Sequence, residues 1–140
     1  MANIVPDSFK QELFTATHNF STSAGNTFKL ALYTTVTGFS TGTTNYIVTN
    51  ETSGTGYSAS GTTLTNALVT VAQNISFIDF SDATFSSATI SASCALVYNT
   101  TQSSKAVVVL DFGGTKTSTN GDFTIQFPAP NSTSAVLRIS

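Results

Sequence analysis

The sequence predicts a mainly β protein: an antiparallel β-sandwich, jelly-roll or immunoglobulin-like, of about eight strands with one short N-terminal helix. Short segments in which apolar and polar residues alternate are separated by turns rich in glycine, serine, threonine and asparagine. No helical pattern alternates with these segments, which is typical of antiparallel sandwiches and barrels. Tryptophan is absent and there is one cysteine, so the Cys-Trp-Cys pattern of antibody domains is excluded.

The composition indicates a folded domain with a neutral, hydroxyl-rich surface. Hydrophobic residues make up 40% of the 140 residues and charged residues only 9%, against about 25% charged in typical domains. Disordered chains combine high charge with few aromatic residues, whereas this chain has eleven phenylalanines and four tyrosines. We divide it into an N-terminal arm with a short helix, residues 1–20, and a β-sandwich domain, residues 21–140.

Charge and hydropathy argue against several kinds of partner. Five basic residues are scattered along a chain of net charge −2, so no cluster could neutralise the phosphates of a nucleic acid. No stretch approaches the ~20 apolar residues of a membrane span, and the first six residues lack the pattern of a secretory signal. We therefore expect no nucleic acid, no membrane and no cofactor as partners, and synthesis in a cytoplasm.

The N-terminal segment is predicted to be helical. Ser8 and Gln11 form a capping-box pattern, and Phe9 and Leu13 lie one turn apart, which predicts a helix over Ser8–Thr15. Its apolar side either closes one end of the sandwich or docks on another subunit or a partner. The arm carries more apolar residues than a short end cap needs, which favours docking. The predicted interaction residues are Ile4, Val5, Phe9, Leu13 and Phe14.

Eight strands are predicted after this helix. They are Thr27–Tyr33, Tyr46–Thr49, Thr63–Val71, Ile75–Phe80, Ala88–Tyr98, Lys105–Phe112, Asp122–Phe127 and Ser134–Ile139. Lys105–Phe112 is apolar on both faces, which predicts the central strand. Alternation in its partner places five residues on one buried face: Ile90, Ala92, Cys94, Leu96 and Tyr98. The C-terminal strand is expected inside the sheet, and surface loops are expected over Thr34–Thr44 and Gly113–Gly121.

Residues suited to catalysis are few, and we predict no catalytic residue, no metal site and hence no enzyme. His18 has no acidic residue near it in sequence and is expected to be solvated or to cap the helix. Asp79 and Asp82 supply too few oxygen ligands for calcium, so a turn with Asx-type hydrogen bonds is expected. Asp111-Phe112-Gly113 copies part of a kinase motif without its other parts and indicates a strand that ends in a turn. Cys94 is expected to be buried and inert.

Glu51 is the carboxylate most open to a specific role. It lies between a strand and the glycine-rich segment Asn50–Tyr57, which Gly61 follows and whose glycines permit positive φ angles. The carboxylate is expected to accept hydrogen bonds from backbone N–H groups of that turn and so to fix its shape. The alternative is an acid that faces a ligand, although acid–base chemistry usually requires a second group.

Several short segments together carry a family resemblance. They are DSFKQEL at 7–13, TFKLALY at 27–33, NE at 50–51 with GY at 56–57, ALVYN at 95–99, AVVVLDF at 106–112 and TIQFP at 124–128. In this order they resemble a group of small virion proteins of tailed bacteriophages, essentially from end to end. Ser60-Gly61 stands where the pattern of that group has paired glycines.

The resemblance implies a structural role on a virus particle. Members of the group with an assigned role are similar to head decoration, or cement, proteins, which bind the outside of the capsid lattice. The implied partners are the major capsid protein and sister subunits in a homo-oligomer, and the implied location is the capsid surface after synthesis in the host cytoplasm. The competing prediction is a receptor-binding or adhesin module of a tail or head fibre, where exposed tyrosine and asparagine would meet sugars.

Overall fold

The computed structural model of the protein describes residues 3–140, so Met1 and Ala2 of the predicted arm lie outside the described residues. It contains one helix and seven strands. These are α1 (Asp7–Phe14), β1 (Phe28–Tyr33), β2 (Thr62–Thr63), β3 (Leu68–Ala72), β4 (Ile75–Asp79), β5 (Ala83–Asn99), β6 (Lys105–Ile125) and β7 (Leu137–Ile139). The predicted fold class, mainly β and antiparallel with one short N-terminal helix, is confirmed, with seven strands where about eight were predicted.

The strands form a four-stranded sheet in the order β2-β1-β5-β6 and a three-stranded sheet in the order β3-β4-β7. Every pairing is antiparallel. An inner cluster joins the two sheets and includes Phe28, Leu30, Leu32, Phe80, Val97, Val107, Val108 and Leu137. An outer cluster covers the opposite face of the four-stranded sheet and consists of Ala31, Tyr33, Phe39, Cys94, Leu96, Tyr98, Ala106 and Val109. The larger sheet is therefore covered on both faces.

The predicted central position of Lys105–Phe112 is wrong. β6 lies at the edge of the four-stranded sheet, and β5 lies between β1 and β6. The edge is nevertheless covered, because the backbone of Ile4 exchanges two hydrogen bonds with Val109, of 2.9 and 2.8 Å. Asn45 forms a second bridge, to Lys105. The apolar residues on both faces of β6 reflect the inner cluster on one side and the outer cluster on the other, rather than a central place.

The prediction that one face of β5 carries five buried residues is also wrong. Ile90 and Ala92 belong to the inner cluster. The other three belong to the outer cluster: Cys94, Leu96 and Tyr98. The pairing is irregular between Ala92 and Cys94, where one residue of β5 faces residues 112–115 of β6. An irregularity of this kind moves the following side chains to the opposite face, and alternation in the sequence does not show it.

Strand β6 also continues through Gly113–Gly121, the segment predicted as a loop. Gly113 and Gly114 do adopt positive φ angles, of 73° and 152°, but they form part of the bulge and do not end the strand. Beyond the bulge β6 pairs again with β5, and the first four residues of the predicted strand Asp122–Phe127 form the end of β6, while Gln126 and Phe127 lie beyond it. The glycines that predicted a turn thus bend a strand that keeps its partner.

Three other predicted strands are absent, divided or shortened. Tyr46–Thr49 is not a strand, and the carbonyl of Ile47 accepts a hydrogen bond from a tyrosine hydroxyl instead of joining a ladder. Thr63–Val71 is divided into β2 and β3, because the chain leaves the extended conformation around Asn66, whose φ is 54°. Ser134–Ile139 is shortened to β7, which lies at a sheet edge rather than inside.

The helix lies close to its predicted range but begins differently. Pro6 precedes the first helical residue, and no side chain caps the N-terminus. The hydroxyl of Ser8, which the capping-box prediction assigned to the helix end, donates instead to the carbonyl of Thr43 at 3.3 Å. The backbone N–H of Asp7 donates to the carbonyl of Thr41 at 2.8 Å. The loop Thr34–Thr44 therefore takes the place of the predicted cap.

Candidate functional site

The predicted interaction residues of the N-terminal arm lie mostly inside the protein. Phe9 is only 2% exposed and belongs to the inner cluster, against which Val5 and Leu13 also pack. Ile4 packs against the outer cluster. Phe14 is different, because 94% of its surface is exposed. Four of the five predicted interaction residues therefore make the contacts of an end cap for the core. Among the five, only Phe14 offers a largely free side chain.

His18 is buried, contrary to the predicted solvated or capping position. Its Nε2 lies 2.7 Å from Oε2 of Glu12, and its Nδ1 lies 3.0 Å from the side-chain nitrogen of Asn99. That nitrogen also donates to Oδ1 of Asn26, at 2.8 Å, while Oδ1 of Asn99 accepts from the backbone N–H of Gln102. With its amide fixed in this way, Asn99 presents a donor to Nδ1, so the contacts fit an imidazole protonated on Nε2 alone.

Glu12 extends this network to the hairpin between β5 and β6. The ammonium group of Lys105 donates to Oε1 of Glu12 at 2.9 Å. Burial opposes ionisation of Glu12, but the hydrogen bonds from Lys105 and His18 outweigh it and hold the pKa of the carboxyl below its usual value. Lys105 also lies at the bridge to Asn45. The network ties α1 to the hairpin, and both imidazole nitrogens are occupied in holding it.

Glu51 collects the most hydrogen bonds of any carboxylate in residues 3–140. Its Oε1 accepts from the hydroxyl of Tyr57, at 2.6 Å, and from the backbone N–H of Ser60, at 2.7 Å. Its Oε2 accepts from the hydroxyl of Tyr46 at 2.6 Å. A backbone N–H does bind Glu51, as predicted, but its donor Ser60 lies beyond the predicted segment Asn50–Tyr57. The two tyrosines are an addition that the sequence did not indicate.

The remaining two tyrosines of the chain lie beside this group. Tyr98 stacks on Tyr46, with ring centroids 4.8 Å apart, and its hydroxyl donates to the carbonyl of Ser60 at 2.6 Å. The hydroxyl of Tyr33 donates to the carbonyl of Ile47 at 2.7 Å. We call Glu51 and the four tyrosines the tyrosine cluster. It fastens the long connection between β1 and β2 onto the outer face of the sheet, while the ring of Tyr57 packs against the inner cluster.

The tyrosine cluster is suited to holding structure and poorly suited to acid–base chemistry. Burial raises the pKa of Tyr33, and the nearby charge of Glu51 raises it further. Burial and the hydrogen bond to Glu51 together raise the pKa values of Tyr46 and Tyr57. Each phenol therefore stays protonated at neutral pH and serves as a donor. The carboxylate in turn accepts three hydrogen bonds, which leaves it little capacity to act on a ligand.

The glycine-rich turn approaches the sheet more closely than any side chain would allow. Gly61 has a φ of 75°, and a Cβ atom there would lie 1.9 Å from the carbonyl oxygen of Leu30. A Cβ on Gly54 would lie 2.3 Å from the carbonyl oxygen of Thr89. Ser60 adopts a φ of 73°, the left-handed conformation that the expected glycine would favour. Both of its backbone hydrogen-bonding groups bind the tyrosine cluster, which offsets this strain.

The other predicted candidates are separate from one another. Asp82 accepts a hydrogen bond from the backbone N–H of Phe127, so the predicted local Asx turn is wrong for this residue. Burial raises the pKa of Asp79. Cys94 is buried in the outer cluster as predicted, and burial raises the pKa of its thiol to about 12. Asp111 accepts from the N–H of Gly113 at 2.8 Å and closes the bulge of β6.

Two open grooves lie on β6. The larger, about 510 Å³, runs between residues 110–112 and 122–128. The smaller, about 280 Å³, is lined mainly by hydroxyl side chains of β5 and β6. Cross-strand hydroxyl pairs 2.9 Å apart, Ser91 with Thr117 and Ser93 with Thr115, lie along this part of the hairpin. Neither groove contains His18 or Glu51, the carboxylate predicted as most open to a specific role.

Comparisons with known proteins do not assign the chain to a family. No protein-family model, no curated protein and no solved structure matches the chain. Within residues 3–140, no three histidine, cysteine, aspartate or glutamate side chains gather closely enough to hold a metal ion. The one helix of this range is too short to cross a membrane.

Proposed function

We propose that the protein is a structural protein of a bacteriophage virion, a decoration or cement protein that binds the major capsid protein on the outer surface of the head. The resemblance of segments between residues 7 and 128 supports this role. The tyrosine cluster and the His18–Glu12 network support it too, because both devote their polar groups to holding loops and the helix in place. A protein that acts by presenting a fixed surface needs such internal ties.

The observation that carries the proposal is the exposed position of Phe14 at the end of α1. The preceding turns of α1 are held by the burial of Phe9 and by the contacts of Glu12 with Lys105 and His18. Phe14 then projects from the end of the helix, almost fully exposed. An aromatic side chain on a fixed backbone can enter a pocket of a partner with little further loss of conformational entropy, which is the property of interface hot spots.

The low charge of the chain favours repeated contacts with a lattice. Only 9% of the residues are charged, so burial of a surface patch removes few charges from water. Hydroxyl side chains on loops and on the hairpin can hydrogen-bond to varied neighbours. On a particle that repeats the same binding surface, weak single contacts gain avidity when sister subunits also touch.

Quantitative mass spectrometry of purified virions tests this function. A decoration protein should be present at a copy number comparable to that of the major capsid protein. A fibre module would occur in a handful of copies per particle. That result would overturn the decoration role in favour of a receptor-binding or adhesin module, and absence of the protein from virions would overturn both.

A further inference from the structure

The edges of the two sheets differ in how they are protected. The edge of β6 is covered near its start by the backbone of Ile4 and by Asn45, and the charged residues Lys116 and Asp122 lie farther along the strand. The edge strand β7 has three residues, with Arg138 exposed in its middle, and β2 has only two residues. Short edge strands, charged side chains and covering segments are the usual means of preventing unwanted strand pairing. Each of these three edges uses at least one of them.

The edge formed by β3 uses none of them. β3 has five residues, Leu68–Ala72, and within residues 3–140 it pairs only with β4. It contains no charged residue and no proline, and its pairing with β4 is regular over its whole length. Val69 and Val71, on one face, are 52% and 66% exposed. β3 therefore offers unpaired backbone groups together with exposed β-branched side chains, the features of a strand that accepts another strand.

We infer that β3 pairs antiparallel with β3 of a second copy of this chain, across a two-fold axis at Thr70. In this register Val69 lies opposite Val71 of the second copy, Val71 lies opposite Val69, and Thr70 faces its own equivalent. Threonine pairs are among the favourable cross-strand combinations, and valines that face each other remove apolar surface from water. The two three-stranded sheets then become one six-stranded sheet, and the exposed valines of both copies form one apolar row.

The strand itself indicates a second copy rather than an unrelated partner. The order valine, threonine, valine reads the same in both directions, so an isologous contact matches like side chains at every position of its centre. The strand is uncharged in a chain of net charge −2, so two copies can meet here without like charges opposite each other. The inference rests on the edge alone and holds whether or not the protein decorates a capsid.

The first test is the mass of the full-length protein in solution, measured by light scattering and sedimentation over a range of concentrations. We expect a dimer that dissociates on dilution. Val71→Lys should shift the protein to the monomer while its melting transition is retained, because the side chain is mostly exposed. Ile139→Lys is the matched control, since it adds the same charge to the same face, at a residue 56% exposed, but on β7. This control should remain dimeric.

The second test locates the axis by cross-linking. Opposite residues of antiparallel strands have Cα atoms about 4.5 or 5.5 Å apart, within the range of a disulfide. Thr70→Cys should therefore form a covalent dimer on oxidation, whereas Ser76→Cys, on the central strand β4, should not. A monomer at every concentration would overturn the inference. So would a dimer that Thr70→Cys fails to cross-link or that Val71→Lys leaves intact, and so would open-ended polymers, because a two-fold contact closes.

Discussion

Nε2 of His18 lies 2.7 Å from Oε2 of Glu12, so the one histidine of the chain is buried against a helix residue six positions before it. The ring of Phe9 covers the imidazole, with centroids 5.0 Å apart. Through Lys105 the same carboxylate reaches the start of β6. A geometry that would suggest a catalytic dyad at a surface serves here to lock the helix onto the hairpin.

Replacement of Glu12 by glutamine should give a pH-dependent loss of stability. The folded pKa of Glu12 lies below its unfolded value, so its ionised form stabilises the fold above about pH 4.3, the ordinary pKa of glutamate. This contribution is lost as the pH falls through the folded pKa. At pH 7, Glu12→Gln should lower the free energy of unfolding by about 2 kcal/mol, as expected for hydrogen bonds to a charged group. Denaturant titrations at pH 7 and pH 3 should show the difference shrink.

Asp7 supplies the control for this experiment. Asp7 pairs with Lys10 at 2.8 Å, but both side chains are largely exposed, and such pairs contribute little. Asp7→Asn should therefore leave stability nearly unchanged at pH 7. A Glu12→Gln defect of the same size at both pH values would mean that the charge of Glu12 does not contribute and that only its shape matters.

Alanine substitutions at two leucines should show how much more a fully buried side chain stabilises the fold than a side chain at the sheet edge. Leu32 is fully buried in the inner cluster, whereas Leu110 of the edge strand β6 is only partly buried. Leu32→Ala should cost about 2 to 5 kcal/mol of unfolding free energy, as a buried large-to-small change does. Leu110→Ala should cost clearly less, although the sequence placed it in the central strand. Equal losses in denaturant unfolding would show that the edge of β6 is as tightly packed as the core.

Much of the fold could be predicted because it depends on local pattern. The alternation in TFKLALY determined β1, and the two-sided apolar run of β6 correctly indicated cover on both faces. The place of β6 at an edge could not be predicted, because the cover comes from Ile4, which is more than a hundred residues away. The bulge opposite Ser93 was hidden for a related reason: a register shift is a property of two strands, and one strand's alternation does not contain it.

Alanine substitutions at two glycines should distinguish the cost of a steric clash from the cost of a strained backbone conformation. Gly61 and Gly113 have nearly equal positive φ angles, 75° and 73°, but a Cβ would collide with the backbone of Leu30 only at Gly61. Gly113→Ala should cost about 1 to 2 kcal/mol, the strain of a left-handed conformation. Gly61→Ala should cost considerably more, because backbone atoms must also move. Comparable midpoints of thermal unfolding for the two variants would show that the turn is free to lift from the sheet.

In the tyrosine cluster, the sequence predicted a backbone donor to Glu51 but not the tyrosines that surround it. The position of Glu51 before a glycine-rich turn indicated a pinned carboxylate, and the hydrogen bond from the N–H of Ser60 agrees with this. The arrival of Tyr46 and Tyr57 from opposite sides of Glu51 depends on how the connection folds back. His18 was misjudged in the same way, because Glu12 and Asn99 meet it only after α1 has docked on β5 and β6.

Loss of the carboxylate of Glu51 should loosen this connection. Glu51→Ala leaves two hydroxyls and one backbone N–H without their acceptor and should lower the free energy of unfolding by about 3 kcal/mol, since each unpaired buried group costs about 1 to 3 kcal/mol unless water reaches it. Glu51→Gln should cost less, because its oxygen can still accept from Tyr57 and Ser60 while Tyr46 rotates its proton. Hydrogen exchange of the Ser60 amide should accelerate in the alanine variant. Unchanged protection there would argue that the turn is held by its glycines alone.

Substitutions at Phe14 and at Phe9, five residues apart, should distinguish an effect on attachment from an effect on folding. Phe14 is exposed, so Phe14→Ser should keep the cooperative melting transition while weakening the binding of the protein to phage heads that lack it. Phe9 is buried among Phe20 and His18, so Phe9→Ser should lose several kcal/mol of stability, about 3 to 5 as for other large-to-small aromatic changes. Val48→Ser, at another exposed apolar residue, controls for a general loss of surface hydrophobicity. If Phe14→Ser binds heads as well as the unmodified protein does, the end of α1 is not the attachment surface, and the loop Thr34–Thr44 becomes the next segment to alter.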